Sequence, residues 1–160
     1  MEPLTTVIVA VLSSGALSAL ITVALNERAE RRKVRRERYV QVVSTLVAKA
    51  EMPYRVRRRV DDRPGTLQNL AGQIHDLQEQ LVVDETWVAA DSAEVLEGLR
   101  SVRKILDPWF TEQCQAAWRA SLIVDGPSMN LDPPLPPAPI RGELVKLQES
   151  IAKRTSVWVA

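Results

Sequence analysis

Leu4 to Leu25 reads LTTVIVAVLSSGALSALITVAL, twenty-two residues without a charge or a proline, and Asn26 to Arg38 follows as NERAERRKVRRER, with seven Lys or Arg. At 1.5 Å rise per residue the first stretch extends about 33 Å as a helix, enough for a hydrocarbon core of ~30 Å. A soluble helix rarely stays uncharged for so long, because its outer face needs polar residues. A cleaved signal peptide would carry a basic leading segment, which Met1-Glu2-Pro3 lacks, and a shorter apolar run. The expectation is an uncleaved transmembrane helix over 4–25 behind an extracytoplasmic N-terminus at 1–3. Basic residues beside a span stay in the cytoplasm. Arg28, Arg31, Arg32, Lys33, Arg35, Arg36 and Arg38 all lie on the C-terminal flank. This predicts a single-pass protein of the inner (cytoplasmic) membrane with residues 26–160 inside the cell.

Within the span, Ala10, Ser14, Ser18 and Thr22 recur at every fourth position, with Gly15 and Ala19 beside them. Small residues at this spacing let helices approach closely. They mark a candidate face for self-association or for docking on another membrane protein, although such residues are common in spans generally.

Residues 26–64 carry thirteen basic and six acidic residues, whereas 66–160 carry eight basic and thirteen acidic. The asymmetry divides the chain into a basic juxtamembrane stalk (26–38) and a more acidic remainder. The stalk's seven cations and three anions suit a topology signal and attraction to anionic headgroups of the lipid bilayer. Glu27 and Arg31 are placed for an i,i+4 pair.

Beyond the stalk the pattern is helical. Tyr39, Val43, Leu46 and Ala50 form a stripe widened by Val40, Val42 and Val47, and Pro53 is expected to break or kink it. Asp61-Asp62-Arg63-Pro64-Gly65 reads as a turn. Leu67, Leu70, Ile74, Leu77 and Leu81 form a heptad seam over about 66–83, two repeats of coiled-coil type. Asp91-Ser92-Ala93-Glu94 resembles a capping box opening a third helix with Val95, Leu99, Val102 and Leu106 on its stripe. Asp107-Pro108 reads as a restart, the fourth helix carrying Phe110, Cys114, Ala117, Trp118 and Leu122 to about Asp125. Residues 126–139 hold six prolines and form an extended linker. Ile140, Leu144, Leu147 and Ile151 mark a last helix in 140–160. The fold class is all-α: a transmembrane helix continuing into a basic stalk, then a small antiparallel helical bundle over 39–125. A short β-element in Leu81–Ala90 or near Trp158 is the alternative.

Candidate chemistry is sparse. His75 and Glu79 share a helix face, but a metal site needs at least three protein ligands, and this is the sole histidine. Cys114, the sole cysteine, falls on an apolar stripe and reads as a packed core thiol. Paired acids, Asp61-Asp62 and Asp84-Glu85, are expected in turns. No glycine-rich phosphate loop is present. The chain is expected to be no enzyme and to use no cofactor.

Arg55, Arg57, Arg58 and Arg59 form a second basic cluster. It is expected to pair with acidic groups of its own domain or of a partner, to stand as a solvated face, or to meet phosphates; without interleaved aromatics, nucleic acid is an unlikely partner. Pro136 to Arg141 matches a PxxPx+ ligand pattern, with a stiff spacer as the plainer reading. Trp158 near the C-terminus is a candidate dock for a partner or for the bundle itself.

In the order of its parts the chain resembles small single-pass, membrane-anchored helical proteins of high-GC Gram-positive bacteria and their phages. Leu4–Leu25 and the RRxxRRERY-type stretch Arg31–Tyr39 carry the likeness, with a weaker part through Thr86–Leu106. The resemblance implies an organisation and no activity. The expected function is a membrane-tethered cytoplasmic interaction module, an adaptor or scaffold, for a protein partner or for a second copy. The alternative is a phage or prophage membrane effector of lysis or superinfection exclusion, in which the span itself acts.

Overall fold

A computed structural model describes residues 3–123, 125–126 and 137–156; for 3–24 it describes the helical backbone and not the side chains. The chain divides into two units, Met1–Arg38 and Tyr39–Ala160. Four helices are described: α1 (Pro3–Arg57), α2 (Pro64–Asp91), α3 (Ala93–Arg119) and α4 (Ala138–Thr155). No strand occurs among the described residues, so Leu81–Ala90 is helical and the β-alternative there is overturned.

In the first unit, residues 25–38 are helical and exposed apart from half-buried Arg35. Glu27 and Arg31 pair at 3.6 Å, as their spacing requires. No helix among the described residues is long and apolar enough to cross a membrane. The expected span over 4–25, with its small residues Ala10, Ser14, Gly15, Ser18, Ala19 and Thr22, lies outside the described side chains, Leu25 excepted.

In the second unit the contacts fix the directions of the helices. Tyr39 bonds Asp91 and Arg55 bonds Gln73, so α1 and α2 run antiparallel. Lys49 meets Asp107 and Arg59 meets Ala117, so α1 and α3 run parallel. Leu147 lies against Gly98 and Arg154 against Asp91, so α4 runs antiparallel to α3. The result is the antiparallel bundle that the apolar stripes imply.

Ser92 alone joins α2 to α3. It is extended (φ −159°, ψ 118°) and caps both helices: its N–H donates to Val88 O at 2.9 Å, and its Oγ accepts from Val95 N at 3.4 Å. The expected box starting at Asp91 therefore shifts by one residue, and Asp91 closes α2 instead. Glu94 in the first turn of α3 suits the positive end of the helix dipole.

Neither proline ends its helix: of the break or kink expected at Pro53 the break is absent, and so is the restart expected at Asp107-Pro108. α1 continues through Pro53 to Arg57, and α3 through Pro108 to Arg119. A proline inside a helix costs ~3 kcal/mol, but burial on either side outweighs it. Met52 and Val56 flank Pro53 at 0% exposure, and Leu106, Phe110, Cys114 and Ala117 carry one buried stripe across Pro108. The fourth expected helix is thus the second half of α3. It stops at Arg119, short of Asp125. α2 likewise runs beyond Val83 on Asp84 and Val88, placing Asp84-Glu85 in a helix and not in a turn.

The core has two parts. One joins all four helices through Tyr39, Val42, Leu46, Ala50, Leu81, Val88, Val95, Leu99, Val102, Leu106, Ile140, Leu144 and Leu147. The other, of Met52, Val56, Leu70, Phe110, Cys114 and Ala117, involves α1, α2 and α3 only. Trp109 packs against both. Gly98 permits a close α3–α4 approach: a Cβ there would stand 3.3 Å from Leu147 Cδ1. Tyr39 meets Trp87 edge-to-face at 4.9 Å.

Asp84 is the exception in this interior. It is 4% exposed; its Oδ1 accepts from Gln80 Nε2 at 2.8 Å, while Oδ2 has no partner. A buried polar atom without a hydrogen bond costs about 1–3 kcal/mol. Asp84→Leu should therefore raise unfolding stability, by ~1 kcal/mol or more. Urea denaturation followed by circular dichroism measures this, and a fall in midpoint would show that the carboxylate is satisfied after all.

Candidate interaction surface

The Arg55–Arg59 cluster sits where α1 ends, beside the end of α3. Helix ends leave carbonyls unpaired and carry partial negative charge. Arg59 answers both. Its side chain is 3% exposed, and its Nε donates to Asp62 Oδ1 at 2.5 Å. One guanidinium nitrogen reaches Val56 O (3.2 Å) and Ala117 O (2.9 Å); the other reaches Trp118 O (3.4 Å) and Ala120 O (2.9 Å). The group also lies 5.8 Å from the Trp118 ring centre. Only a planar, multiply donating cation fits this fork. Arg59, expected with its neighbours to pair with acidic groups of its own domain or of a partner, pairs with Asp62 of its own domain and is buried as an internal clamp, which removes it from the contact residues proposed with Arg55, Arg57 and Arg58.

The other three arginines differ. Arg55 and Arg58 are exposed and Arg57 is half-buried. Arg55 touches Gln73 Oε1 at 3.4 Å, and Arg57 donates to Ser121 O. Arg63 and Arg119 add exposed charge from the α1–α2 turn and the last turn of α3. Asp61 tempers it: its carboxyl is held below the usual range by hydrogen bonds from Thr66 Oγ1 and the Arg63 N–H. A cleft of about 410 Å³ lies here, lined by Arg58, Arg59, Val60, Gly65, Thr66, Asn69 and Leu70. The arrangement is a basic pole suited to an acidic surface. The stalk cations Arg28, Arg31, Arg32, Lys33, Arg36 and Arg38 are exposed in the other unit.

A charge relay that the sequence does not announce crosses the middle of the bundle. Lys49, with 8% of its side chain exposed, donates to Asp107 Oδ1 at 2.8 Å and stands 4.9 Å from the Phe110 ring centre. Arg103 joins Asp107 (3.2 Å) to Glu85, and Arg100 reaches Glu85 at 3.3 Å. Arg103–Asp107 shows i,i+4 spacing, but the links to Lys49 and Glu85 have no local signal. Asp107, read as a helix cap, is an interhelical acceptor.

His75 and Glu79 pair at 3.1 Å with 68% of each side chain exposed. No group of three or more possible metal ligands occurs among the described residues. Ala138 to Arg141 is helical and Ile140 is 1% exposed, so the end of the PxxPx+ match is the start of α4, and the extended linker expected to Pro139 gives way to helix at Ala138. Trp158 and the linker over 127–136 lie outside the described residues. No family model, curated protein or solved structure matches the chain.

Two measurements follow. Arg59→Ala strands the carbonyls of Ala117, Trp118 and Ala120 at the end of α3, leaves Asp62 without its cation, and should cost about 3 kcal/mol, with Arg59→Lys recovering little because a lysine cannot fork. Denaturant midpoints of the three proteins test this. Burial raises the Cys114 thiol to about 11, against a smaller opposing pull from Lys49. The thiolate is the nucleophile, and at pH 8 roughly one molecule in a thousand carries it. Alkylation should be far slower than in urea-unfolded protein and should accelerate as pH approaches 11; equal rates at pH 8 would contradict a buried thiol.

Proposed function

We propose that this chain is a single-pass membrane protein whose unit Tyr39–Ala160 is a helical interaction module on the cytoplasmic side. The observation that carries the tether is the uncharged run Leu4–Leu25 followed at once by seven basic residues. Such a run is too apolar for a soluble surface, and the flank supplies both orientation and ~1 kcal/mol of lipid attraction per cation near the headgroups.

The interaction role is supported by the basic pole. Arg55, Arg58, Arg63 and Arg119 are exposed around the ends of α1 and α3, backed by a clamp that fixes those ends. An acidic protein surface is the fitting partner. Such a rim of charge chiefly accelerates encounter and selects the partner, and its effect weakens with salt.

An export-dependent reporter enzyme fused after Ala160 should be inactive, and a cytoplasmic reporter active; the reverse pattern would overturn the topology. Cross-linking in native membranes should recover a protein partner, and Arg55→Glu with Arg58→Glu should reduce that recovery several-fold while leaving thermal unfolding nearly unchanged. Unaltered recovery would remove the basic pole from the interaction.

A further inference from the structure

We propose that the cleft at the basic pole docks a partner protein through a segment that sets a carboxylate beside a branched apolar side chain. The inference rests on the pole being an interaction surface and names what its partner must present there. Two apolar side chains shape the cleft. Leu70, 8% exposed, belongs to the second core cluster and backs it, and Val60 lines it at 80% exposure. A lone exposed valine needs no explanation. This one follows Arg58 and Arg59 directly and lines the cleft with them. Gly65 keeps the space open: a Cβ there would meet nothing within 4 Å.

The polar lining donates. Arg58 contributes an exposed guanidinium, and Asn69 an amide whose oxygen is taken: Oδ1 accepts from Gln73 Nε2 at 2.6 Å. What Asn69 has left is its N–H groups. The nearby acids are occupied. Thr66 Oγ1 donates to Asp61 Oδ1 at 2.6 Å, Arg59 Nε donates to Asp62 Oδ1 at 2.5 Å, and no acid is among the described residues lining the cleft. Donors around an apolar back wall call for an acceptor and an apolar group side by side. Adjacent side chains of a polypeptide supply both, in the pattern of a polar rim around an apolar centre. A nucleic-acid strand brings phosphates for the rim but no aliphatic side chain for the wall. Charge speeds the encounter, and the filled cleft slows release.

Fluorescence anisotropy on the full chain in detergent micelles tests this, with empty micelles as the blank. The probes are a dye-labelled peptide of Glu and Leu, the same peptide with every Leu replaced by Gln, and a single-stranded oligonucleotide of equal charge. The Glu/Leu peptide should bind about tenfold more tightly than the Glu/Gln peptide, the worth of one buried aliphatic side chain. Val60→Ser and Gly65→Gln should each erase most of that preference without changing charge. Both should leave thermal unfolding nearly unchanged, since Val60 is exposed and Gly65 has room. Arg58→Glu should weaken both peptides. Equal binding of the two peptides, still weakened by Arg58→Glu, would overturn the docking segment and leave the basic pole standing. Indifference of both peptides to Arg58→Glu would remove the pole as well. Oligonucleotide binding as tight as that of the Glu/Leu peptide would overturn the protein partner in favour of a nucleic acid.

Discussion

Everything at one end of the bundle depends on the guanidinium of Arg59. Two parallel helices, α1 and α3, stop beside each other there; the end of α3 presents the carbonyls of Ala117, Trp118 and Ala120 to the guanidinium, and Val56 O at the end of α1 accepts both from it and from the Arg59 N–H. Like partial charges meet at that point. A single buried cation lowers the cost for both helices, and Asp62 balances its charge. Because α4 does not reach this end, the core cluster there rests on three helices, and the clamp supplies what a fourth helix supplies elsewhere.

The apolar stripes were sufficient to read the helices but not their ends. Val95, Leu99, Val102 and Leu106, each at 0% exposure, were visible from spacing alone. Pro53 and Pro108 misled, because a local rule about a missing N–H competes with burial on both sides of the ring. The loss is a single hydrogen bond, whereas the gain runs along the whole stripe. Tertiary packing therefore joined what local chemistry separated, and the third and fourth expected helices became the single helix α3, one of four among the described residues.

The charged residues were less legible, for a different reason. Arg55–Arg59 appears in sequence as one basic patch, but the helix ends at Arg57 and the chain beyond it sends neighbouring side chains into different surroundings. Arg59 turns inward at the point where α1 ends, and Arg58 beside it faces out. The Lys49–Asp107 and Glu85–Arg103 links join residues far apart in the chain. No short window of sequence holds both partners of these links, nor Arg59 together with the α3 carbonyls it reaches, so spacing shows only the local pairs Arg59–Asp62 and Arg103–Asp107.

Ser92 has a consequence for the order in which the bundle assembles. A connection of one residue makes closure of the α2–α3 hairpin entropically cheap, whereas bringing Lys49 to Asp107 closes a loop of some sixty residues. Short-range contacts form early in helical proteins and long-range contacts follow. The hairpin is thus the natural folding nucleus, and the second half of α1 is recruited onto it. In a chain emerging from a ribosome, α1 would be complete before the surface it packs against exists. Its stripe of Tyr39, Val42, Leu46 and Ala50 would wait uncovered until Arg119 had been synthesised, a burden that falls on chaperones or on the speed of translation.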